Sequence, residues 1–183
     1  MGIYIGLGFL ALIILFFVSS YNGFVKLRQR IREAFSTMDV YLKQRYDLIP
    51  NLVETVKGYA SHEKETFERV VQARNRAVQA QNINEVRESN NMLTDGLRQL
   101  FALAEGYPEL KANTNFLDLQ NQLARVEGEI AQSRKYYNAV VRDFNTRREV
   151  FPHVLIASLF SFYKEPYFEI EDASQRENVR VSF

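Results

Sequence analysis

The segment Ile3-Tyr-Ile-Gly-Leu-Gly-Phe-Leu-Ala-Leu-Ile-Ile-Leu-Phe-Phe-Val18 carries no charge, and no Asp, Glu, Lys or Arg appears before Lys26. At about 1.5 Å of rise per residue, this stretch supplies the roughly 20 helical residues that cross a bilayer. A cleaved signal peptide is the rival reading, since Val18 and Ser20 are small residues suited to precede a cut. No Lys or Arg stands ahead of the run, however, whereas Lys26, Arg28, Arg30 and Arg32 follow it directly. That asymmetry predicts an uncleaved single-pass anchor over residues 1–20, with the N-terminus outside and the remainder cytoplasmic. Lipidation is not expected, because Gly6 stands where the myristoyl pattern needs Ser or Thr and the chain has no Cys to acylate.

Downstream, apolar residues recur in steps of three and four. Phe116, Leu119, Leu123, Val126, Ile130, Ser133, Tyr137, Val140 and Phe144 form a heptad-like stripe over more than three repeats, the pattern of a long helix packed on other helices. Phe24, Leu27, Ile31, Ala34, Met38 and Leu42 make a second stripe leading out of the apolar segment. Leu52, Val56, Tyr59, Phe67, Val70 and Ala77 make a third, with Glu63 and Arg74 on the same face, and Val86, Leu93, Leu97, Leu100, Ala104 and Tyr107 a fourth, with Asn90 as its polar member. The breaks are short: polar Gln81 to Asn84, and Gly106-Tyr-Pro108, where a C-terminal Gly is followed by Pro. Short connections favour antiparallel neighbours. The fold expected is therefore all-α, an N-terminal transmembrane helix followed by an up-down antiparallel four-helix bundle of long helices over residues 21–150.

Two shorter segments follow. Val150 to Tyr163 is apolar but too short to span, so residues 151–163 either lie in the membrane interface or cap the bundle. Within the tail, residues 164–183, Tyr167-Phe-Glu-Ile-Glu171 and Asn178-Val-Arg-Val-Ser-Phe183 alternate at period two and suggest a small β tail, with disorder as the equal alternative.

Chemistry is sparse. A di-iron site in a bundle needs Glu-x-x-His pairs, but Tyr59 and Val150 stand three residues before His62 and His153; His62-Glu63 lacks the second histidine of a zinc motif, position 66 being Thr66. No phosphate-cradling glycine loop appears, and a formal charge of +1 gives no general attraction to nucleic acid. Glu63 and Arg74 on an apolar stripe, with Glu127 and Arg134 flanking another, are the candidate buried charges; such pairs more often fix helix register than perform chemistry. Tyr21-Asn-Gly-Phe-Val-Lys26 echoes Tyr137-Asn138-Ala-Val-Val-Arg142, which suggests similar packing in two helices. Gly2-x-x-x-Gly6 weakly suggests close approach of two membrane helices, and hence an oligomer.

In Asp47-Leu-Ile-Pro-Asn-Leu-Val-Glu-Thr-Val56, Pro50 suits the first turn of a helix that Asp47 would cap, which places Asn51 at a membrane-distal corner. The surrounding run Met38-Asp-Val-Tyr-Leu-Lys-Gln-Arg-Tyr-Asp-Leu-Ile-Pro-Asn-Leu-Val-Glu-Thr-Val-Lys-Gly-Tyr-Ala-Ser-His-Glu63, followed by Ala73-Arg74, resembles the signature of the LemA proteins. Tyr107-Pro-Glu-Leu-Lys-Ala-Asn113, Glu127, Arg134, Tyr137-Asn138, Phe144-Asn145, Phe151-Pro152 and Tyr167-Phe168 extend the likeness over nearly the whole chain. Phe35 stands where that family often has Trp, and Phe160-Ser161-Phe162 lacks a glycine often found before the last aromatic. The resemblance implies a bacterial inner-membrane protein with a cytoplasmic helical bundle and no established enzymatic activity or cofactor. Members of that family often have gene neighbours encoding a membrane metalloprotease or a TPM-domain protein, so the resemblance implies, by association only, a part in membrane protein quality control or stress response. The expectation is thus a scaffold or adaptor that binds proteins or itself; an enzyme centred on Glu63, and a lipid-binding protein acting through residues 150–163, are the alternatives.

Overall fold

The computed structural model describes residues 1–169, and every regular element among them is a helix: α1 (Gly2–Lys57), α2 (Lys64–Gln79), α3 (Ile83–Ala104), α4 (Pro108–Lys111), α5 (Thr114–Glu149) and α6 (His153–Leu159). Tyr167 to Glu169 form no strand; the rest of that expected strand and all of 178–183 lie outside the described residues. The chain divides into two units, Met1–Val40 with Glu129–Tyr167, and Tyr41–Gly128 joined among the described residues by Phe168 and Glu169.

Helix α1 is long and apolar enough near its start to cross a membrane, and the side chains there are exposed on all sides. It then continues unbroken through Asp47 and Pro50, which overturns the expected helix start at Asp47 and the corner at Asn51. A proline inside a helix leaves the carbonyl four residues earlier without its donor. Here that carbonyl belongs to Tyr46, and Arg74 Nε of α2 donates to it at 3.4 Å. Pro50 itself faces outward, so its ring displaces nothing in the core. Asn51 is exposed in mid-helix, its carbonyl accepting from Thr55 Oγ1 at 2.8 Å. The true corner comes later, at residues 58–63, where the amides of Tyr59 and Ala60 both donate to Val56 O at 3.0 Å.

In the second unit α2 packs on α3. Gly96 permits this approach, because a Cβ there would lie 3.3 Å from Val70 Cγ2. The start of α3 is fixed by a reciprocal cap: Asn82 Oδ1 accepts from the amides of Asn84 and Glu85, while Glu85 accepts from the Gln81 amide. That amide, more than any other group, holds the Glu85 carboxyl below its usual range. Pro108 opens α4 at a position where its missing N–H costs nothing. The unit's core draws on Leu42, Ile49, Leu52 and Val56 of α1, Phe67 and Val70 of α2, Leu93 and Leu100 of α3, and Leu123 and Val126 of α5.

In the first unit Phe24, Ile31, Ala34 and Met38 of α1 and Ile130, Tyr137, Val140 and Phe144 of α5 are buried, as their spacing predicts. Phe24 packs edge-on to Phe144 and stacks on Phe162 at 4.8 Å. Arg147 lies over the Phe24 ring and against Gly23, where any Cβ would collide with its guanidinium. The echo between Tyr21-Asn22 and Tyr137-Asn138 does not reflect equal packing, since Tyr137 is buried and Tyr21 is exposed.

Helix α6 ends in a Schellman motif. Ser161 takes the left-handed conformation at φ 54°, its amide reaches Ser158 O, and the Phe162 amide donates to Ala157 O at 2.9 Å. The position that lacks the family's frequent glycine is therefore the one where the backbone favours glycine.

Candidate functional site

The most concentrated polar chemistry among the described residues surrounds Arg45, in the second unit. Arg45 lies three residues after Leu42 and four before Ile49, so it falls on the buried face of α1. Its side chain is 3% exposed, and Nη2 meets Glu127 Oε1 of α5 at 2.7 Å. The same nitrogen donates to Thr94 Oγ1 at 2.9 Å, and Nη1 reaches Asn90 Oδ1 of α3 at 3.5 Å. Asn90 Nδ2 in turn donates to the Tyr46 hydroxyl at 2.6 Å and to Val86 O at 2.7 Å, while Thr94 Oγ1 donates back to Asn90 O. Helices α1, α3 and α5 are thus tied at one level by a charge and its acceptors, and α2 joins through Arg74 and the Tyr46 carbonyl. Arg45 Nε is buried without a hydrogen-bond partner.

Burial weakens the hold of Arg45 on its proton, and the opposing charge of Glu127, then Tyr46, partly restores it. A cation this enclosed is tolerable only because its acceptors are preplaced. Clefts of about 270 Å³ beside Arg76 and Met92 and of about 300 Å³ beside Phe101 and Phe116 lie in the same unit, and neither is lined by Arg45. The network holds α1, α3 and α5 in one register.

The predicted site residues are distributed as follows. Glu127 is half-buried and engaged by Arg45. Arg74 is half-buried and serves the carbonyl that Pro50 strands. Glu63 is exposed at the position before α2, so the expected buried Glu63–Arg74 pair does not form: with the corner at residues 58–63, Glu63 belongs to the turn and not to the stripe. Asp47 and Asn51 are exposed on α1, while Arg134 and Asn138 are half-buried on α5 in the first unit. Among the described residues, no three His, Asp or Glu side chains converge so as to hold a metal.

A second constellation lies in the first unit, where α5 grips the extended chain after α6. Asn145 is 4% exposed; its Nδ2 donates to Glu165 O at 2.9 Å and its Oδ1 accepts from the Glu165 amide at 3.0 Å. Arg148 Nε donates to Phe162 O at 2.9 Å, and Tyr137 Oη donates to Pro166 O at 3.0 Å. Burial, with the nearby Glu165 carboxylate, pushes the Tyr137 hydroxyl up to about 12, so it remains a donor at any physiological pH. At the start of α6, His153 Nδ1 lies 2.7 Å from Ser20 Oγ, and its ring stacks on Phe16 at 5.6 Å. Burial and then the Arg147 guanidinium hold His153 below its ordinary range.

Sequence reasoning missed Arg45. The signal was its place on the Leu42–Ile49 face, which becomes visible only if the helix is carried through Pro50. Phe144-Asn145 stands out in the sequence, but an amide that binds backbone leaves no pattern in its target.

Comparison with known proteins adds two findings. A model described as the LemA family matches residues 34–183. The chain is also similar to the protein from Metamycoplasma hominis named Protein LemA, at 24% identity over 169 residues, covering 90% of this chain and 74% of that protein. That name states no catalytic function.

Proposed function

Because the chain belongs to the LemA family, we propose that it acts as a membrane-anchored helical scaffold or adaptor, binding other proteins or copies of itself and catalysing no reaction. One observation supports this most: α1 runs as a single helix from an exposed, uncharged segment to a buried cation, Arg45, whose acceptors come from two other helices of its own chain, α3 and α5. Such an arrangement stiffens the second unit, and Arg45 lines neither the cleft beside Arg76 nor the one beside Phe101. The anchor spans the bacterial inner membrane once, with Lys26, Arg28, Arg30 and Arg32 keeping the α-helical body on the cytoplasmic side. Its partners are membrane proteins, with a membrane protease system and a second copy as the leading candidates, and its setting is membrane protein quality control or stress response.

Cross-linking in native membranes, with identification of the linked peptides, tests this reading. Links from the helical units to other membrane-associated proteins or to a second copy are expected. Complete absence of such links, together with turnover of a small molecule by the purified chain, would overturn it. Alkaline extraction should leave the chain in the membrane pellet.

A further inference from the structure

Phe151, Leu155, Leu159 and Tyr163 follow one another at intervals of four, and they are 79%, 58%, 66% and 73% exposed. Phe160 stands beside them, while the opposite face of α6 buries Ile156 and Ala157. Between Val150 and Tyr163 there is no Asp, Glu, Lys or Arg. A row of large apolar side chains is therefore turned outward.

What covers this row follows from where α6 begins. His153 is held against Ser20 and Phe16, and Tyr21 touches Phe160 at 4.8 Å, all within the first unit. Phe16 to Tyr21 is where the uncharged run of α1 ends, a few residues before Lys26. With the preceding run in hydrocarbon, α6 is pinned at the depth where acyl chains give way to headgroups. Aromatic and aliphatic side chains partition to that layer, and flanking cations favour its anionic lipids. Arg148 and Lys164 supply such cations on either side of the row, beside the carboxylates of Glu149 and Glu165.

We propose that the Phe151–Tyr163 row lies in the bilayer's interfacial layer and forms a second membrane contact beside the anchor, with lipid as its occupant. The inference rests on reading α1 as the anchor. Two points of attachment, one crossing and one lying flat, restrict the tilt and rotation of the first unit in a way that a single helix cannot.

The chain has no Trp, so one introduced residue becomes a sole reporter. Full-length Leu159→Trp is reconstituted in vesicles containing anionic lipid and phosphatidylcholine brominated near the headgroup end of the acyl chains, and Leu12→Trp in vesicles whose phosphatidylcholine is brominated near the acyl-chain ends. Leu159→Trp is expected to lose about half its emission or more, as a side chain roughly 5–10 Å into the headgroup boundary should. Leu155→Trp, with unchanged circular dichroism, guards against a local packing artefact and should behave alike. Quenching of Leu12→Trp with fully aqueous emission from Leu159→Trp and Leu155→Trp would overturn the proposal and leave the anchor standing. Absence of quenching in Leu12→Trp would overturn the anchor and the proposal with it. Blue-shifted but unquenched emission at residue 159, with chain-to-chain disulfides through Leu159→Cys, would assign the row to a second copy and overturn lipid as its occupant.

Discussion

Replacing Glu127 by Gln removes the charge opposite Arg45 while keeping nearly the same shape. The Arg45 side chain is 3% exposed and its Glu127 contact is 2.7 Å, so the guanidinium would keep only neutral acceptors in a nearly dry site. Breaking a fully buried pair by removing one partner costs about 3–5 kcal/mol. Glu127 is 44% exposed, however, so water already screens part of the attraction, and Gln retains an acceptor oxygen. The cost expected is about 2 kcal/mol, which at this chain length lowers Tm by roughly 4–8 °C. In an Arg45→Met background no cation remains to be compensated, and the same change should cost less than about 0.5 kcal/mol. Thermal unfolding of the four full-length proteins in detergent, followed by circular dichroism, measures the difference. Equal Tm losses from Glu127→Gln in both backgrounds would refute the claim that Glu127 stabilises the fold through Arg45.

Ser161→Gly should raise stability by about 1 kcal/mol, because the left-handed conformation at this residue strains any side chain; no change in denaturation midpoint would count against the Schellman geometry. Pro50→Ala should be neutral or stabilising, since the restored amide completes the helix at Tyr46 O, and Arg74→Ala should then cost less than it does beside Pro50. Asn145→Ala should cost about 2 kcal/mol for two lost bonds to backbone and should speed amide exchange at Glu165 in particular, measured by hydrogen exchange. His153 should make stability pH-dependent. Its folded proton affinity is depressed, so its contribution is complete above the unfolded value of about 6.5 and is lost as pH falls from there through the folded value. Melting curves across that range should show the slope in the parent chain and a reduced slope in His153→Gln.

Helical periodicity made most of the fold legible. The stripes Phe24 to Leu42 and Phe116 to Phe144 are buried almost residue for residue, and the boundaries at Gln81 to Asn84 and Gly106 to Pro108 fall where caps and breakers put them. The error at Pro50 came from applying a local rule where a distant residue decides. A proline ends a helix when nothing else can satisfy the carbonyl it strands, and Arg74, on another helix, does so here. That one misplaced corner also put Glu63 on a helix face and hid Arg45, whose buried position depends on continuous helical phase. The alternation at Tyr167 to Glu169 does not make a strand among the described residues, which hold no neighbouring strand to complete a ladder.

The grip of α5 on the chain after α6 carries a consequence for variation. Arg148 binds the carbonyl of residue 162, Asn145 both polar groups of residue 165, and Tyr137 the carbonyl of residue 166. Every one of these bonds reads main chain, and the side chains of Tyr163 and Lys164 are exposed on the protein. A library randomised at these two positions should retain its folded members at nearly the rate of an unselected surface loop, whereas one randomised at Asn145 should collapse to a few survivors. The segment is a mounting on which surface character can drift while its path stays fixed, so related chains can adapt this face to different surroundings without redesigning the helix that holds it.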